Sequence, residues 1–520
     1  MPHLVPLPML IPVLLLAAAA VSIARPGRRP GKYPVIAEVS AFVAIPLALA
    51  GLMQLLVSGP STESLFAGPF MLALRLDAVS VTMTLLVAFI GWVVMRYARS
   101  YLDGEAREGR FHGLMLAALA VVQIVVQSGS LPVLFLGFVA IGICLRQLLL
   151  FYPERAAARR AATKFALVWH AGDSALFLAT ALFFISTGTV ELGALFEAVG
   201  PQLSFVGHLA IGLLVLAAAL KAATFPLHGW LTEVMEAPTP VSALLHAGII
   251  NAGGFLLIRT ADLVQSSPGA MGALVALGGL TALFGAVVML TQSAVKTALA
   301  WSTIAQMGFM LLQCGLGLWP LALLHIVAHS LYKAHAFLSS GGAVTAVANL
   351  RRPGPIAIPS VANVLRSFAV ALVLYAVVSV VFSLVAGPKS PQALAIGAML
   401  IFGVAYLVAQ GLADAAPVEL TWRTSLSSLL VALAYFTFQQ VAKLMWGSAL
   451  PHPPAAGPLE WALIVLAVAS FGLVAFAQAV FPLWAHHPST AGLRVHIANG
   501  LYLNALLDRA IGGYRLAKFK

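Results

Sequence analysis

Continuous apolar runs of about 20 residues dominate this sequence, and a helix of that length crosses roughly 30 Å of hydrocarbon. The strands of a membrane barrel would alternate apolar and polar side chains, and these runs do not alternate. Charged residues make up only 9% of the chain, so a water-soluble fold could not cover the apolar surface. We therefore predict an all-α integral membrane protein.

The apolar runs predict about fifteen transmembrane helices joined by short loops. Their approximate limits are residues 4–24, 34–57, 76–97, 112–128, 131–152, 162–186, 205–225, 233–258, 270–290, 297–316, 318–342, 363–386, 391–413, 424–447 and 458–483. No basic region precedes the first run, so we expect a membrane span there and not a cleaved signal peptide.

Arginines and lysines gather in every second loop, and this pattern predicts the orientation. The basic loops and tail hold Arg25, Arg28, Arg29, Lys32, Arg96, Arg99, Arg107, Arg110, Arg155, Arg159, Arg160, Arg351, Arg352, Arg366, Arg494, Arg509, Lys518 and Lys520. By the positive-inside rule, the N-terminus lies outside and the C-terminus lies in the cytoplasm, in a cell (inner) membrane. The net charge of +12 then reflects topology, and we expect contact with membrane lipid and not with nucleic acid.

The C-terminal tail mixes apolar and charged residues, with Leu503, Leu506 and Leu507 beside Asp508 and Arg509. This pattern is typical of an amphipathic helix at the membrane surface or against a partner. A solvated tail is the alternative.

Three ionisable residues, His325, His329 and Lys333, recur four positions apart in the eleventh predicted span. Each step of four turns a helix by about 40° and advances it about 6 Å, so the three lie along one face. We call them the histidine–lysine row. Bridged by water or by Ser330 and Tyr332, such a row can pass protons. The same spacing also fits separate hydrogen bonds to neighbouring helices, a two-histidine metal site or a bis-histidine haem.

A second buried charge, Lys221, ends the seventh predicted span five residues before Pro226. Proline frees the carbonyl of Ala222, and a lysine beside a broken helix is typical of sites that handle ions. A lysine that extends to the interface is the alternative. His170 and Asp173 lie on one face of the sixth span, where Asp173 is the expected counter-charge of Lys221, for transport or for structure alone.

The eighth predicted span opens with Pro238 and Pro240, which mark its start or a break. His246 follows within an apolar run, and Glu236 lies near the mouth of the span. Lys296 stands at the cytoplasmic end of the tenth span, where it joins the path or simply reaches the interface. The candidate ion-translocation residues are Lys221, Asp173, His170, Glu236, His246, Lys296, His325, His329 and Lys333.

Sequence patterns for cofactors are missing from this chain. It has no phosphate loop and no dinucleotide fingerprint. Its two cysteines, Cys144 and Cys314, lie in apolar runs and provide no disulfide framework and no iron–sulfur or zinc ligand set. We expect no cofactor and no catalytic residue in this chain, and energy from an ion gradient or from a partner.

Three long motifs in order resemble the antiporter-like membrane subunits, which include the large proton-pumping subunits of respiratory complex I and of multisubunit sodium/proton antiporters. The motifs are KAATFPLHGWLTEVMEAPTPVSALLH at 221–246, TQSAVKTALAWSTIAQMGFM at 291–310 and the histidine–lysine row. The resemblance covers roughly residues 70–345. It implies two inverted five-helix repeats with broken helices and a polar axis at mid-membrane. By position it assigns family roles to Asp173, Lys221, Lys296, His325, His329 and Lys333.

The repeats implied by this resemblance divide the chain into four parts. These are N-terminal helices (1–110), a first repeat (111–260), a second repeat (265–415, divergent after about 345) and C-terminal helices with an amphipathic tail (416–520). Two departures from the family pattern argue against a complete pump. Val139 stands where the family's fifth-span glutamate would be, and the twelfth span, 363–386, lacks the family's lysine, for which Lys443 is a possible substitute.

The runs LLHAGIINAGG at 244–254 and VHIANGLY at 495–502 are similar to one branch, the DabB membrane subunits of DAB-type inorganic-carbon accumulation systems. That resemblance implies a large cytoplasmic, carbonic-anhydrase-like partner of the DabA type, which would hold the zinc and hydrate carbon dioxide while cations flow through the membrane subunit. The alternatives are an ion-pumping subunit of a complex I-like or Mrp-type complex, and a membrane anchor that does not conduct.

Overall fold

The structure of the protein is a computed structural model that describes residues 6–66, 68, 71–199, 203–342, 360–411, 418–480 and 487–510. These residues are mostly helical, because a helix bonds its own backbone polar groups where lipid offers none. Four of the basic positions used to predict the orientation, Arg351, Arg352, Lys518 and Lys520, lie outside the described residues.

The described elements comprise two short strands and a series of helices. In chain order they are α1 (Leu10–Ile23), α2 (Tyr33–Ser58), β1 (Ser61–Phe66), β2 (Leu72–Leu76), α3 (Ala78–Tyr101), α4 (Glu108–Val126), α5 (Leu131–Leu149), α6 (Ala156–Thr187), α7 (Leu192–Ala198), α8 (Phe205–Lys221), α9 (Gly229–Glu233), α10 (Thr239–Ala247), α11 (Ala252–Arg259), α12 (Ala261–Gln265), α13 (Pro268–Met289), α14 (Val295–Gly315), α15 (Trp319–Leu338), α16 (Val361–Ala386), α17 (Pro391–Gly411), α18 (Val418–Trp446), α19 (Pro458–Ala479), α20 (Pro488–Ala498) and α21 (Leu503–Ala510).

The helices confirm the predicted class of an all-α membrane protein. Among the described residues, 11 helices are long and apolar enough to cross a membrane, and shorter apolar helices lie at Leu7–Ile23, Phe205–Lys221 and Pro391–Ala405. The count of about fifteen spans, the inverted repeats and the four-part division of the chain stay predictions.

A small antiparallel hairpin, β1 and β2, was not predicted from the sequence. Ser61 pairs with Leu76 at its open end, and Leu74 forms a further bridge to Ser128. The hairpin leads into α3, whose N-terminus is closed by a capping box between Asp77 and Ser80. It therefore gives the connection between α2 and α3 a fixed backbone at one end of the helical bundle.

Two predicted spans are interrupted within the bundle. Helix α8 ends at Lys221, and Ala223 follows in a left-handed backbone conformation with φ 50°. The eighth span begins at Thr239, directly after Pro238, so the prolines mark its start. Its break lies further on, between α10 and α11, at Gly248–Asn251. Broken helices are thus present: the one beside Lys221 lies where Pro226 predicts it, and the one in the eighth span lies where no proline marks it.

Helices α13 and α14 approach each other through glycines. A Cβ added to Gly308 would lie 2.4 Å from the Ala282 nitrogen, and one added to Gly278 would lie 2.5 Å from the Leu312 nitrogen. Small residues allow such close backbone contact in membranes, where packing replaces the hydrophobic effect. This contact holds α14, which carries part of the candidate site, against α13.

Loops from the first six helices meet at one end of the bundle, which we call the basic end. The Gly109 nitrogen donates to the Gly27 carbonyl at 3.3 Å, and Arg107 donates to the Phe151 carbonyl at 3.2 Å. These contacts join three of the predicted basic loops. Helix α21 of the tail packs against the same end, since Lys164 of α6 contacts Asp508, and the last residue of α20, Ala498, accepts a hydrogen bond from Gln292 there.

Candidate ion-translocation site

Lys221 is fully buried and paired with Asp173. Its Nζ donates to the Asp173 Oδ1 at 2.5 Å and to the Trp169 carbonyl at 3.4 Å. The ammonium also lies 4.2 Å from the centre of the Trp169 ring and 4.8 Å from that of Phe138. Because α8 ends at Lys221, the side chain leaves the helix terminus toward α6, so the predicted counter-charge is in direct contact.

His170 extends this pair toward the outside of the bundle. Its Nδ1 lies 2.9 Å from the Asp173 Oδ2, and its side chain is 45% exposed. The three residues therefore form one chain of polar contacts, from a buried ammonium through a carboxylate to a partly exposed imidazole. A titratable ring at its outer end is suited to exchange protons with the Asp173 carboxylate.

His246 lies two residues before the break in the eighth span and has no exposure to solvent. Its Nδ1 contacts the Thr303 hydroxyl of α14 at 3.1 Å, and its ring stacks on Phe337 at 4.3 Å. The Thr303 hydroxyl in turn donates to the Leu299 carbonyl. The break leaves the His246 carbonyl able to accept a hydrogen bond from a side chain. The His329 Nε2 lies 3.2 Å from this oxygen.

The histidine–lysine row runs along one face of α15 as the spacing predicts. The rings of His325 and His329 lie 6.0 Å apart, and the Lys333 Nζ donates to the Leu299 carbonyl at 2.9 Å. His246 is joined to the row at two points, through its own carbonyl to His329 and through Thr303 and the Leu299 carbonyl to Lys333. The arrangement is a compact polar network between α10, α14 and α15.

Two cavities adjoin this network. A cavity of about 600 Å³ between α13–α15 and α17–α19 is lined by His325 and His329 and by Gln306, Gln313 and Tyr332. The His325 Nδ1 contacts the Gln313 Oε1 at 2.9 Å on this side. The cavity is large enough for many waters, so it can connect one end of the row with an aqueous or interfacial phase.

A smaller cavity of about 40 Å³ lies between the row and the Lys221 pair. It touches Phe138, which packs against Lys221, and also Asn251 and Ser330 beside the row. A water needs about 10–15 Å³ and two to four polar partners, and the other lining side chains are apolar. The region between the Lys221–Asp173 pair and the histidine–lysine row is therefore mostly apolar.

Other predicted residues lie further from the network. Lys296 is partly buried and donates to the Thr239 hydroxyl at 3.2 Å, at the start of α10. Glu236 is half-exposed and lies 4.0 Å from Arg155, so it is separate from the buried groups. Tyr332 is exposed on α15 but borders the large cavity, and Lys443 is exposed on α18.

Several polar residues of the site were not singled out from the sequence. Asn251, inside the break, donates to Ser330 at 2.9 Å and to the Ala247 carbonyl at 3.1 Å. Thr303 and Gln313 bond the site histidines from α14. Uncharged polar residues cost less to bury in an apolar run than charged residues do, so the sequence marks them less clearly as functional. Among the described residues, no three His, Cys, Asp or Glu side chains are placed to hold a metal ion.

Buried ammonium groups and imidazoles within membrane spans are typical of sites that hand on protons or small cations. Residues 128–354 match the family model "NADH:quinone oxidoreductase/Mrp antiporter, TM", and residues 67–112 match "NADH-Ubiquinone oxidoreductase (complex I), chain 5 N-terminus". The fold and the matched family models are those of an antiporter-like, ion-translocating membrane subunit.

Similar proteins indicate one branch within this class of membrane subunits. The chain is 35% identical over 523 residues to the "Probable inorganic carbon transporter subunit DabB2" of Halothiobacillus neapolitanus, across 96% of this chain and 92% of the relative. It is 44% identical over 269 residues to the "Probable inorganic carbon transporter subunit DabB" of Hydrogenovibrio crunogenus, across 51% of this chain and 52% of that protein. The chain therefore belongs to the antiporter-like family that includes the DabB inorganic carbon transporter subunits.

Solved structures share the fold. A chain of the Mrp complex from a Dietzia species matches with a TM-score of 0.63 at 22% identity, across 98% of this chain and 60% of that chain. A chain of the membrane-bound sulfane sulfur reductase, an archaeal respiratory membrane complex, matches with a TM-score of 0.60 at 18% identity, across 96% and 99%.

Proposed function

We propose that this chain is the proton-translocating membrane subunit of an inorganic-carbon accumulation complex. In this proposal its C-terminus lies in the cytoplasm, and it powers a large cytoplasmic, carbonic-anhydrase-like subunit of the DabA type, which carries the zinc. The observation that supports translocation most directly is the network of His246, His329 and Lys333, because groups this costly to bury are rarely kept in a membrane without a function.

The proposed path begins outside and runs through the Lys221 pair, the His246 region and the histidine–lysine row. The groups of the row that can accept and donate a proton are the imidazoles of His325 and His329 and the Lys333 ammonium, and the carbonyls of His246 and Leu299 hold His329 and Lys333 in place. The apolar cavity beside Asn251 is the step at which water must enter. The large cavity beside His325 connects that end of the row with an aqueous or interfacial phase.

The test uses the purified complex in liposomes with a pH-sensitive dye inside. We expect Lys333→Ala or His329→Ala to reduce proton flux to that of empty vesicles and to abolish carbon accumulation in cells, while the complex still assembles. His335→Ala is a matched control, since His335 lies two residues from Lys333 but is exposed on the other side of α15. Normal accumulation in the Lys333 or His329 variant would overturn the path. A sodium gradient in place of the pH gradient identifies the ion.

One sequence observation favours a second candidate, a membrane anchor that does not conduct. Val139 occupies the position of the family's fifth-span glutamate, so part of the usual charge set is missing. If the chain is such an anchor, we expect vesicles with the wild-type complex to show no proton flux above that of empty vesicles. Carbon accumulation would then be unaffected by Lys333→Ala. The third candidate, a subunit of a complex I-like or Mrp-type complex, predicts copurification with redox or small antiporter subunits instead of one soluble zinc protein.

A further inference from the structure

The tail is fastened to the basic end through its polar side. Lys164 is fully buried, and its Nζ contacts the Glu233 carboxylate, the Asn504 Oδ1 at 2.6 Å and the Asp508 Oδ1 at 2.6 Å. The Asn504 amide also donates to Glu233 at 2.8 Å. Because a buried ammonium and buried carboxylates stabilise each other only when paired, these contacts fix the rotation of α21 about its axis.

Further contacts hold the rest of the tail against the same surface. Gln292 after α13 donates to the Ala498 carbonyl at 3.2 Å. A Cβ added to Gly229 would lie 2.3 Å from the Asn504 Oδ1, and one added to Gly500 would lie 3.1 Å from the Trp301 ring. The tail thus lies closely on α9 and α14 from Ala498 onward, whereas α20 before it has no buried residue.

The opposite side of the tail is apolar and exposed. On α21, Leu506 is two residues from both Asn504 and Asp508, about 200° around the helix, so it faces away from the buried anchors. Leu506 is 59% exposed, Leu493 53% and Val495 51%. Together with the exposed side chains of Leu501 and Tyr502, Leu493 and Leu506 form what we call the tail face: Leu493, Leu501, Tyr502 and Leu506. Val495, two residues from Leu493, lies about 200° around α20 and is not part of this face.

The geometry argues against lipid as the cover of this face. An amphipathic helix that lies on a bilayer turns its apolar side toward the membrane and its polar side away. Here the polar side of α21 faces the membrane protein, and the apolar side faces away from it. An apolar patch exposed in this direction is typical of a protein interface. Arg494 and Arg509 are exposed beside it, so the complementary surface carries carboxylates.

We propose that the tail face is the docking surface for the soluble partner subunit, which covers it with an apolar patch flanked by acidic side chains. The inference rests on the proposed function, which supplies such a partner. The tail then has two sides with separate roles. Its polar side locks onto Lys164 and Glu233 next to the translocation helices, and its apolar side binds the partner.

The experiment measures binding of the soluble zinc-containing subunit, purified from the wild-type complex, to this chain in nanodiscs. The variant Leu493→Ser/Leu506→Ser should weaken binding at least tenfold, because both side chains are exposed and neither supports the fold. The control Val57→Ser/Leu384→Ser changes two apolar side chains, each 82% exposed, at the end of the bundle away from the tail and should bind like wild type. Arg494→Ala/Arg509→Ala should reduce the dependence of binding on salt.

A photo-crosslinking residue at position 506 should yield an adduct with the partner, and one at position 384 should not. Wild-type binding by the Leu493/Leu506 variant, or an adduct with lipid alone, overturns the docking surface and leaves the proposed translocation intact. Lys333→Ala should bind the partner normally while flux is lost, so failure of the transport path and failure of the docking surface give different results. If the wild-type chain recovers no soluble zinc protein, both proposals fall.

Discussion

The ion pair between Lys221 and Asp173 leads to a quantitative prediction for Asp173→Asn. The substitution removes the negative charge 2.5 Å from the Lys221 Nζ and keeps the shape of the side chain. The ammonium retains the Trp169 carbonyl at 3.4 Å and two aromatic ring faces, which give about 2 kcal/mol when desolvated. Removal of one partner of a buried pair costs about 3–5 kcal/mol, and we expect this penalty in the free energy of unfolding.

Deprotonation of the lysine limits this penalty and makes it depend on pH. An ordinary lysine has a pKa of about 10.4, so removing its proton costs about 4.6 kcal/mol at pH 7 and about 1.9 kcal/mol at pH 9. A neutral amine at position 221 no longer needs the carboxylate. We therefore expect Asp173→Asn to be strongly destabilising at pH 7 and to lose no more than about 2 kcal/mol at pH 9.

The assay is reversible unfolding in mixed detergent micelles at both pH values, with Lys221→Met and the double variant completing a mutant cycle. The double variant should lose less stability than Asp173→Asn alone, because it buries no unpaired charge. Asp262→Asn, which changes an exposed carboxylate on α12, is the control. A loss of stability below about 1 kcal/mol at pH 7, which is typical of an exposed ion pair, or an equal loss at both pH values would contradict this prediction.

Two further predictions concern the scaffold. Burial raises the pKa of Asp77, but the charges of Arg259 and Arg75 lower it by more, so the pKa is below its ordinary value. The ionised carboxylate therefore stabilises the fold above the ordinary aspartate pKa, and this stabilisation is lost as the pH falls toward the lowered value. Asp77→Asn, which leaves Arg259 buried without its contact at 2.7 Å, should lower the thermal midpoint at pH 7 and flatten its decline in acid. Gly308→Val should cost about 1–3 kcal/mol by overpacking α13, whereas Gly279→Val, which meets open space, should be tolerated.

The parts of this protein that were predictable are those that depend on local geometry or on lipid. Apolar runs must be helical in a bilayer, and residues four apart share a helix face, so the class of fold and the alignment of the histidine–lysine row follow directly. The partner of Lys221 was predictable because a buried charge needs an opposite charge, and Asp173 is a carboxylate in the adjacent span. The structure has the two in contact.

The parts that were missed depend on contacts between distant segments. The break after His246 lies where Asn251 bonds Ser330, 79 residues away, and no proline marks it. Lys164 stands close to Arg159 and Arg160 in the sequence and resembles a topological charge, yet it is buried by Asn504, which is 340 residues away. Glu236 was chosen near the mouth of the eighth span, whereas Glu233, three residues earlier, is the carboxylate that the fold buries against Lys164.

The charge balance at Lys221 bears on the kind of transport that the chain performs. A lysine that alternates between two carboxylates can be held in either of two states, which is what an uphill pump requires. Here Val139 leaves Asp173 as the carboxylate in contact with Lys221, and the second oxygen of Asp173 is already bonded to His170. We therefore propose that this site, with one acceptor and a partly exposed imidazole beside it, passes protons down a gradient. In the proposed function, the energy of that downhill flow is used by the partner that docks on the tail face.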